Sequence, residues 1–332
     1  MHLPTAAQLL DPQGRPLFGR FHSQVPALNW HTLAKPWQRS PLWRYFHRKH
    51  WHYLALAHED WFIAMAIVDL GWANTAFAYV MDRRSGQLLL DYSRDGIPAY
   101  SARLSQQAEA GLACQFRFFS EQISLTHDAQ SDCYLFELNL PRVSIQAQIQ
   151  RNTQSPSLLA VAEVAGGSVH ATQKTSAMSA RATLRIGQQH LELEQVLASM
   201  DHSHGFLARD TEWRWASAHE HKLGFNLQAG YLGQHENALW LGQKIYPLSA
   251  AEFEYDKTDP RKDWQIRTSD GLVELRFVVE GLRSENKNLF VAQSRYVQPV
   301  GRFYGWVRSH AETEAVRIDG LAGVTEDHFS RW

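Results

Sequence analysis

The sequence predicts an all-β fold of two consecutive antiparallel barrels behind an irregular Pro/Trp-rich N-terminal arm. Three observations predict it. Short apolar or alternating runs recur at roughly 8–12-residue spacing, the rhythm of an all-β barrel or sandwich. Almost no helix-length segment carries a 3.6-residue apolar period. One antiparallel barrel takes about eight to ten strands, so this many runs in 332 residues make two.

The elements follow in order. Residues 1–50 carry Pro4, Pro12, Pro16, Pro26, Pro36 and Pro41, which lack a backbone donor and resist regular structure. This is the arm, with a short helix expected between Pro41 and His52. The first barrel spans 51–205, with strands expected at 51–57, 61–68, 75–81, 87–91, 114–119, 134–139 and 143–150. Met81-Asp82-Arg83-Arg84-Ser85-Gly86 reads as a hairpin turn, and Ile145, Ala147 and Ile149 alternate with Ser144, Gln146 and Gln148 as a half-buried strand requires. Further runs follow Gly166-Gly167, at 182–186 and 191–197. The second barrel spans 206–332, with runs at 213–216, 223–229, 238–241, 252–255, 264–268, 272–279, 289–296 and 302–308. The break is expected between about 198 and 212, where Ser199–Gly205 interrupts the strand pattern as an irregular turn. Asp95-Gly96, Asp270-Gly271, Asp319-Gly320 and Gly242-Gln243 read as further turns.

Composition bounds the function. Hydrophobic residues are 44% and charged residues 20%, ordinary for a globular chain. Lys+Arg is 33 against Asp+Glu 34, a net charge of −1, which argues against a nucleic-acid or anionic-membrane partner. The 12 Trp are split between 30–72 and 213–332, which fits two units, each with its own aromatic anchors. Cys114 and Cys133 are too few for a disulfide framework; free buried thiols are expected, with a cross-strand pair as the alternative. The start Met1-His2-Leu3-Pro4 lacks the pattern of a secretory signal. The longest apolar stretch, 61–68, is far short of the ~20 residues that span a bilayer. A cytoplasmic protein without stable membrane insertion is expected; the oligomeric state is not readable.

The common motifs are absent: no G-x-S-x-G, no P-loop, no dinucleotide G-x-G-x-x-G, no H-E-x-x-H and no C-x-x-C. Neither a cofactor nor a metal is expected. His219-Glu220-His221 places two imidazoles on one strand face, but no carboxylate follows, and a solvated hairpin end is the reading. His47, His50 and His52 beside Arg44 and Arg48 read as a basic arm. Asp201-His202 in its Gly-ended segment reads either as an acid/base unit or as an Asx-turn beside a surface His. Trp213, Trp215 and Ser217 share one strand face, as a core plug or as an apolar ligand wall. Asn226, Glu236 and Asn237 flank apolar strands and, if buried, require hydrogen bonds, to turns or to a ligand. Glu326, Asp327 and His328 lie in a C-terminus dense in ionisable groups, which reads as a docked final strand, structural or functional.

Several of these pieces occur together in one family. Gln173-Lys174, Met200–Gly205, Thr211–Ser217, Gly224–Leu227, Glu236–Trp240, Pro299–Phe303 and Gly323–Trp332 make the chain resemble the domain-of-unknown-function family numbered 2804. The resemblance covers most of the chain after about residue 50. Lys174, followed by Asp201-His202-x-x-Gly205 and a Trp-rich strand, is more distantly similar to the carotenoid 1,2-hydratase (hydroxyneurosporene synthase) and AttH-like group. That group carries an Asp-His-Glu/Gln-Trp-Gly turn, where this chain has Ser203-His204 in place of Glu/Gln-Trp. The resemblance implies two lipocalin-like (calycin-like) barrels. It also implies cofactor-independent proton transfer on isoprenoid-like or polyene substrates in some members, and lipid association in others.

Two functions are therefore expected. In the first, the protein is an acid/base enzyme, a hydratase, isomerase or cyclase. An apolar isoprenoid, polyene or fatty-acyl ligand sits in a barrel cavity, with Asp201 as proton donor at a pKa raised by burial. His202 orients Asp201 or serves as base, Lys174 tunes the acid or binds a substrate oxygen, and Trp213 and Trp215 face the developing cation. In the second, the protein carries a lipid or other hydrophobic ligand without chemistry. A scaffolding role for the Trp-basic arm rises only if the cavity proves filled.

Overall fold

Alternation decides which way each strand faces. In the strand Val143–Gln150, Ile145, Ala147 and Ile149 are buried while Gln146, Gln148 and Gln150 are exposed. The same period of two, repeated along the chain, curls two sheets around two cores. This arrangement comes from a computed structural model that describes residues 3–22, 25–288 and 292–332.

The first sheet holds β1 (Gly19–His22), β2 (Arg48–Ala57), β3 (Trp61–Asp69), β4 (Asn74–Asp82), β5 (Gln87–Gly96), β6 (Ala102–Leu104), β7 (Ala113–Phe118), β8 (Glu121–Asp128), β9 (Cys133–Leu140), β10 (Val143–Gln150), β11 (Leu158–Glu163), β12 (Val169–Lys174), β13 (Met178–Ile186) and β14 (Gln189–Phe206). The second holds β15 (Asp210–His219), β16 (Leu223–Gly230), β17 (Ala238–Leu241), β18 (Lys244–Pro247), β19 (Ala251–Glu254), β20 (Trp264–Thr268), β21 (Val273–Asn288), β22 (Gln293–Val307) and β23 (Val316–Arg331). Every pairing is antiparallel and most join neighbours in sequence. The fold is two consecutive lipocalin-like barrels. The edge strands come back on their own sheets, β6 against β3 and β19 against β16.

The interiors are filled. Leu54, Ile63, Met65, Phe116, Phe136 and Leu184 are among the residues that pack the first barrel, and Phe225, Trp264, Phe277 and Phe303 anchor the second. Cys114 and Cys133 are free and buried.

The arm is draped over the first barrel. Leu28, Trp30 and Leu33 pack on Leu159, Val161 and Ala171 of β11 and β12. Its helix α1 (Pro41–His47) starts where Ser40 Oγ accepts from the Trp43 amide, with Pro41 at the first helical position. No helix among the described residues is long and apolar enough to cross a membrane.

Several expectations are corrected. Ser199–Gly205 is not an irregular turn. It is the second half of β14, which leaves β13 and pairs with β12 on one side and β2 on the other. His50 and His52 do not belong to a basic arm but are buried within β2. His219 is not solvated either; it ends β15, with its ring against Trp240 and Nε2 beside Ser217 Oγ. Asp95-Gly96 ends a strand, and Asp319-Gly320 forms a bulge inside β23, where Gly320 supplies a φ of 81°. The run expected at 289–296 begins outside the described residues and continues as β22 from Gln293.

The barrels meet through outward faces. Phe62, Ala64, Ala66 and Tyr79 of the first pack on Val300 and Val324 of the second. Arg83 donates to Glu280 at 2.8 Å, and Arg283 to Asp91 at 2.8 Å, closing the seam with ion pairs across it.

Candidate functional site

The site lies in this seam. Strand register lines up its walls. On the first sheet one row runs Phe77–Ala66–Tyr53–Asp201–Lys174 across β4, β3, β2, β14 and β12. The next row contains Val68 and Trp51. On the second sheet one row runs Tyr296–His328–Trp213 across β22, β23 and β15, and the next runs Glu326–Trp215–Gln228 across β23, β15 and β16. The facing rows, with Tyr231, Glu236 and Trp332, line a partly open cavity of about 110 Å³. That is near the ~150 Å³ that admits one benzene ring.

An ion triad bridges the two walls. Lys174 Nζ contacts Asp201 and lies 2.9 Å from a carboxylate oxygen of Glu236. Lys174 comes from β12, Asp201 from β14, and Glu236 from the loop between β16 and β17. Two asparagines fix that loop: Asn226 Nδ2 donates to the Glu236 carbonyl at 2.9 Å, and Asn237 Nδ2 donates to the Ser249 carbonyl at 2.9 Å. Asn226 Oδ1 also accepts from Trp215 Nε1 at 2.7 Å, which holds the indole against the cavity. The Lys174 ammonium sits 5.6 Å from the Trp215 ring centre.

The two carboxyls are driven apart. Burial raises Asp201, but the Lys174 charge and hydrogen bonds from Lys174, Ser203 and Thr172 outweigh it and hold Asp201 below the usual carboxylate range. Burial raises Glu236, the Asp201 charge adds to this, and Lys174 offsets only part, so Glu236 stands above its ordinary value. The raised acid expected at Asp201 is therefore at Glu236.

The second-sheet wall carries a hydrogen-bond chain. Tyr79 donates to Gln298 Oε1, Gln298 Nε2 donates to Glu326 at 2.8 Å, and Trp213 Nε1 donates to the other Glu326 oxygen at 2.8 Å. The His328 ring lies 4.1 Å from that of Trp213.

The structure thus brings together Lys174, Asp201, Trp213, Trp215, Glu236, Glu326 and His328. It separates others. Neighbours on a strand face opposite ways, so His202 turns from Asp201 into a buried group with His50, His52 and His204; its Nε2 lies 2.7 Å from that of His50. It cannot orient Asp201. Asp327 faces away from the cavity toward Arg295, and Ser217 bonds His219. Asn226 and Asn237 are positioning residues. The cavity is between the barrels rather than inside one, because each barrel is filled by its own side chains. Sequence reasoning missed Trp51, Tyr53, Gln228, Tyr231 and Tyr296. A signal for Gln228 existed: it shares a face with Asn226 in an otherwise apolar strand. Among the described residues, no three His, Cys, Asp or Glu side chains converge as metal ligands.

The comparisons fit this architecture. The chain belongs to the family described as Domain of unknown function (DUF2804), whose profile matches residues 2–332. No curated protein matches the sequence. Among solved structures, kievitone hydratase from Nectria haematococca is similar over 99% of this chain and 98% of its own, at TM-score 0.54 and 8% identity. CghA, solved with Sch210972, is similar over 99% and 98%, at TM-score 0.57 and 13% identity. An AttH-type protein from Nitrosomonas europaea is similar over 92% and 98%, at TM-score 0.54 and 10% identity. At such identities the likeness is one of fold.

Proposed function

We propose that the protein is a cofactor-independent acid/base enzyme, a hydratase, isomerase or cyclase, acting on an apolar ligand whose reacting part enters the inter-barrel cavity. One observation carries this: two buried carboxyls share Lys174 on an aromatic wall, with one held ionised and the other pushed toward its protonated form. Such divergence of paired carboxyls is how acid and base roles are divided. Glu236 donates a proton to a carbon–carbon double bond. The faces of Trp213 and Trp215 stabilise the cation that forms. Asp201 takes a proton back, from an adjacent carbon in isomerisation or from added water in hydration. The hydratase among the fold neighbours supports this class of reaction. A carrier is the weaker reading, since a cavity of about 110 Å³ does not hold a whole acyl chain.

The test is isotopic. The protein is incubated in D₂O with isoprenoid, polyene and cyclic enone compounds, and deuterium at carbon is read by mass spectrometry. Incorporation is expected for a compound that enters the cavity, and Glu236→Gln should lower its rate by about 100-fold or more. Unchanged exchange in Glu236→Gln would remove that residue from the chemistry. No exchange with any cavity-binding compound would leave the carrier reading.

A further inference from the structure

Three buried side chains on the cavity wall carry polar atoms without a hydrogen-bond partner in the protein: Tyr53 on the first sheet, by its hydroxyl, and Gln228 and Tyr296 on the second. Gln228, 1% exposed, has neither its amide oxygen nor its amide nitrogen bonded. Tyr296, 5% exposed, has an unbonded hydroxyl. On the second-sheet wall beside Gln228 and Tyr296, Trp213 and Gln298 donate to Glu326, and Trp215 donates to Asn226. An unpaired buried amide or hydroxyl bears the full desolvation penalty, so it marks a partner that arrives from outside.

Their placement specifies that partner. Gln228 is on β16 and Tyr296 on β22, at opposite ends of the two second-sheet rows, with β15 and β23 between them. Strands lie about 4.8 Å apart, so the two backbones stand about 14 Å apart. The cavity of about 110 Å³ that both side chains line has room for about one ring. An amide both donates and accepts, while a phenol hydroxyl donates well, so both ends suit oxygen atoms.

We propose that this site takes a ring compound carrying hydroxyl or carbonyl oxygens on two sides, and that Gln228 and Tyr296 hold those oxygens while Trp213 and Trp215 cover the ring face. The proposal rests on the reading of the inter-barrel cavity as the ligand site and narrows its ligand from a hydrocarbon to an oxygenated ring.

Two shape-matched probes test it, resorcinol and m-xylene. Trp51, Trp213, Trp215 and Trp332 line the cavity, so binding reads out as a change in intrinsic fluorescence. Resorcinol is expected to bind at least about tenfold tighter, because a site built for hydrogen bonds rejects the analogue that leaves its groups unpaired. Gln228→Leu and Tyr296→Phe should each cut that preference severalfold while leaving m-xylene affinity in place. Gln228→Leu should also hold or raise the melting temperature, since it removes an unpaired buried amide. Equal affinity for the two probes, no fluorescence response to either, or a preference that survives both substitutions would overturn the proposal. The outcome is separable from the acid/base reading: a resorcinol preference without any deuterium exchange would defeat that reading and support this one.

Discussion

At the scale of single residues, Lys174 sets the site. It contacts Asp201 and Glu236 together, and the Asp201 charge in turn raises Glu236. Replacing Asp201 by Asn removes a negative charge that raises Glu236. The Glu236 pKa then falls, its proton is lost at lower pH, and the alkaline limb of the kcat/KM profile should move to more acid pH, as steady-state rates across pH will show. An unmoved limb would mean the two groups do not communicate. Lys174→Met leaves two buried carboxyls without their counter-charge and should cost about 3–5 kcal/mol in urea unfolding. Asp201 and Lys174 were legible in the sequence through the resemblance. The opposite pKa shifts of Asp201 and Glu236 were not, because they depend on a lysine brought to both by strand pairing and a loop.

At the scale of elements, alternation and turn chemistry carried most of the information. The observed strands Val143–Gln150, Ala238–Leu241 and Trp264–Thr268 have the expected bounds. The long strands did not read as such. The second half of β14 and the middle of β22 lie in the seam, where both faces are covered and polar residues serve the partner sheet, so the alternation of a half-solvated strand disappears. The Ser199–Gly205 error has this cause: Asp201 and Ser203 face the cavity side, and His202 and His204 a buried histidine group. The β4–β5 turn gives the element-scale prediction. Gly86 has a φ of 71°, and a Cβ there would stand 2.3 Å from the Glu280 carbonyl oxygen of the other barrel. Gly86→Ala therefore combines backbone strain with a push against the seam. A destabilisation of about 2 kcal/mol is expected by urea denaturation, whereas Gly242→Ala, also at positive φ but with open space around it, should cost less. Equal losses would show that the seam contact carries no weight.

At the scale of the whole molecule, the site exists only because two filled barrels present outward-facing rows to each other, and no local pattern announces such an interface. The same construction leaves a charge-sensitive keystone beside it. The arm, β2 and β14 meet at His50, His52, His202 and His204, with Trp30 Nε1 donating to the His204 carbonyl and His204 Nδ1 2.6 Å from the Leu28 carbonyl oxygen. His170 of β12 lies on the opposite face, packed on Trp51 and Tyr231. Burial pushes His52 and His204 down to about 4 and His170 to about 3, and it holds His50 and His202 well below the ordinary imidazole value. Arg48 and Arg44 add repulsion at His204, against which its Leu28 bond works, while Asp201 opposes the shifts at His52 and His170. These rings are neutral in the folded chain and become charged below about pH 6.5 in the unfolded one. The unfolded state then binds more protons, so stability is full above about 6.5 and falls as pH drops from there toward 4. Each ring contributes up to about 1.4 kcal/mol per pH unit in that window. Urea midpoints at pH 7.0, 5.5 and 4.5 should fall steeply, and His52→Gln should flatten the fall without altering the native far-ultraviolet spectrum. A midpoint constant from pH 7.0 to 4.5 would mean that these imidazoles are already protonated, or solvated, in the folded protein.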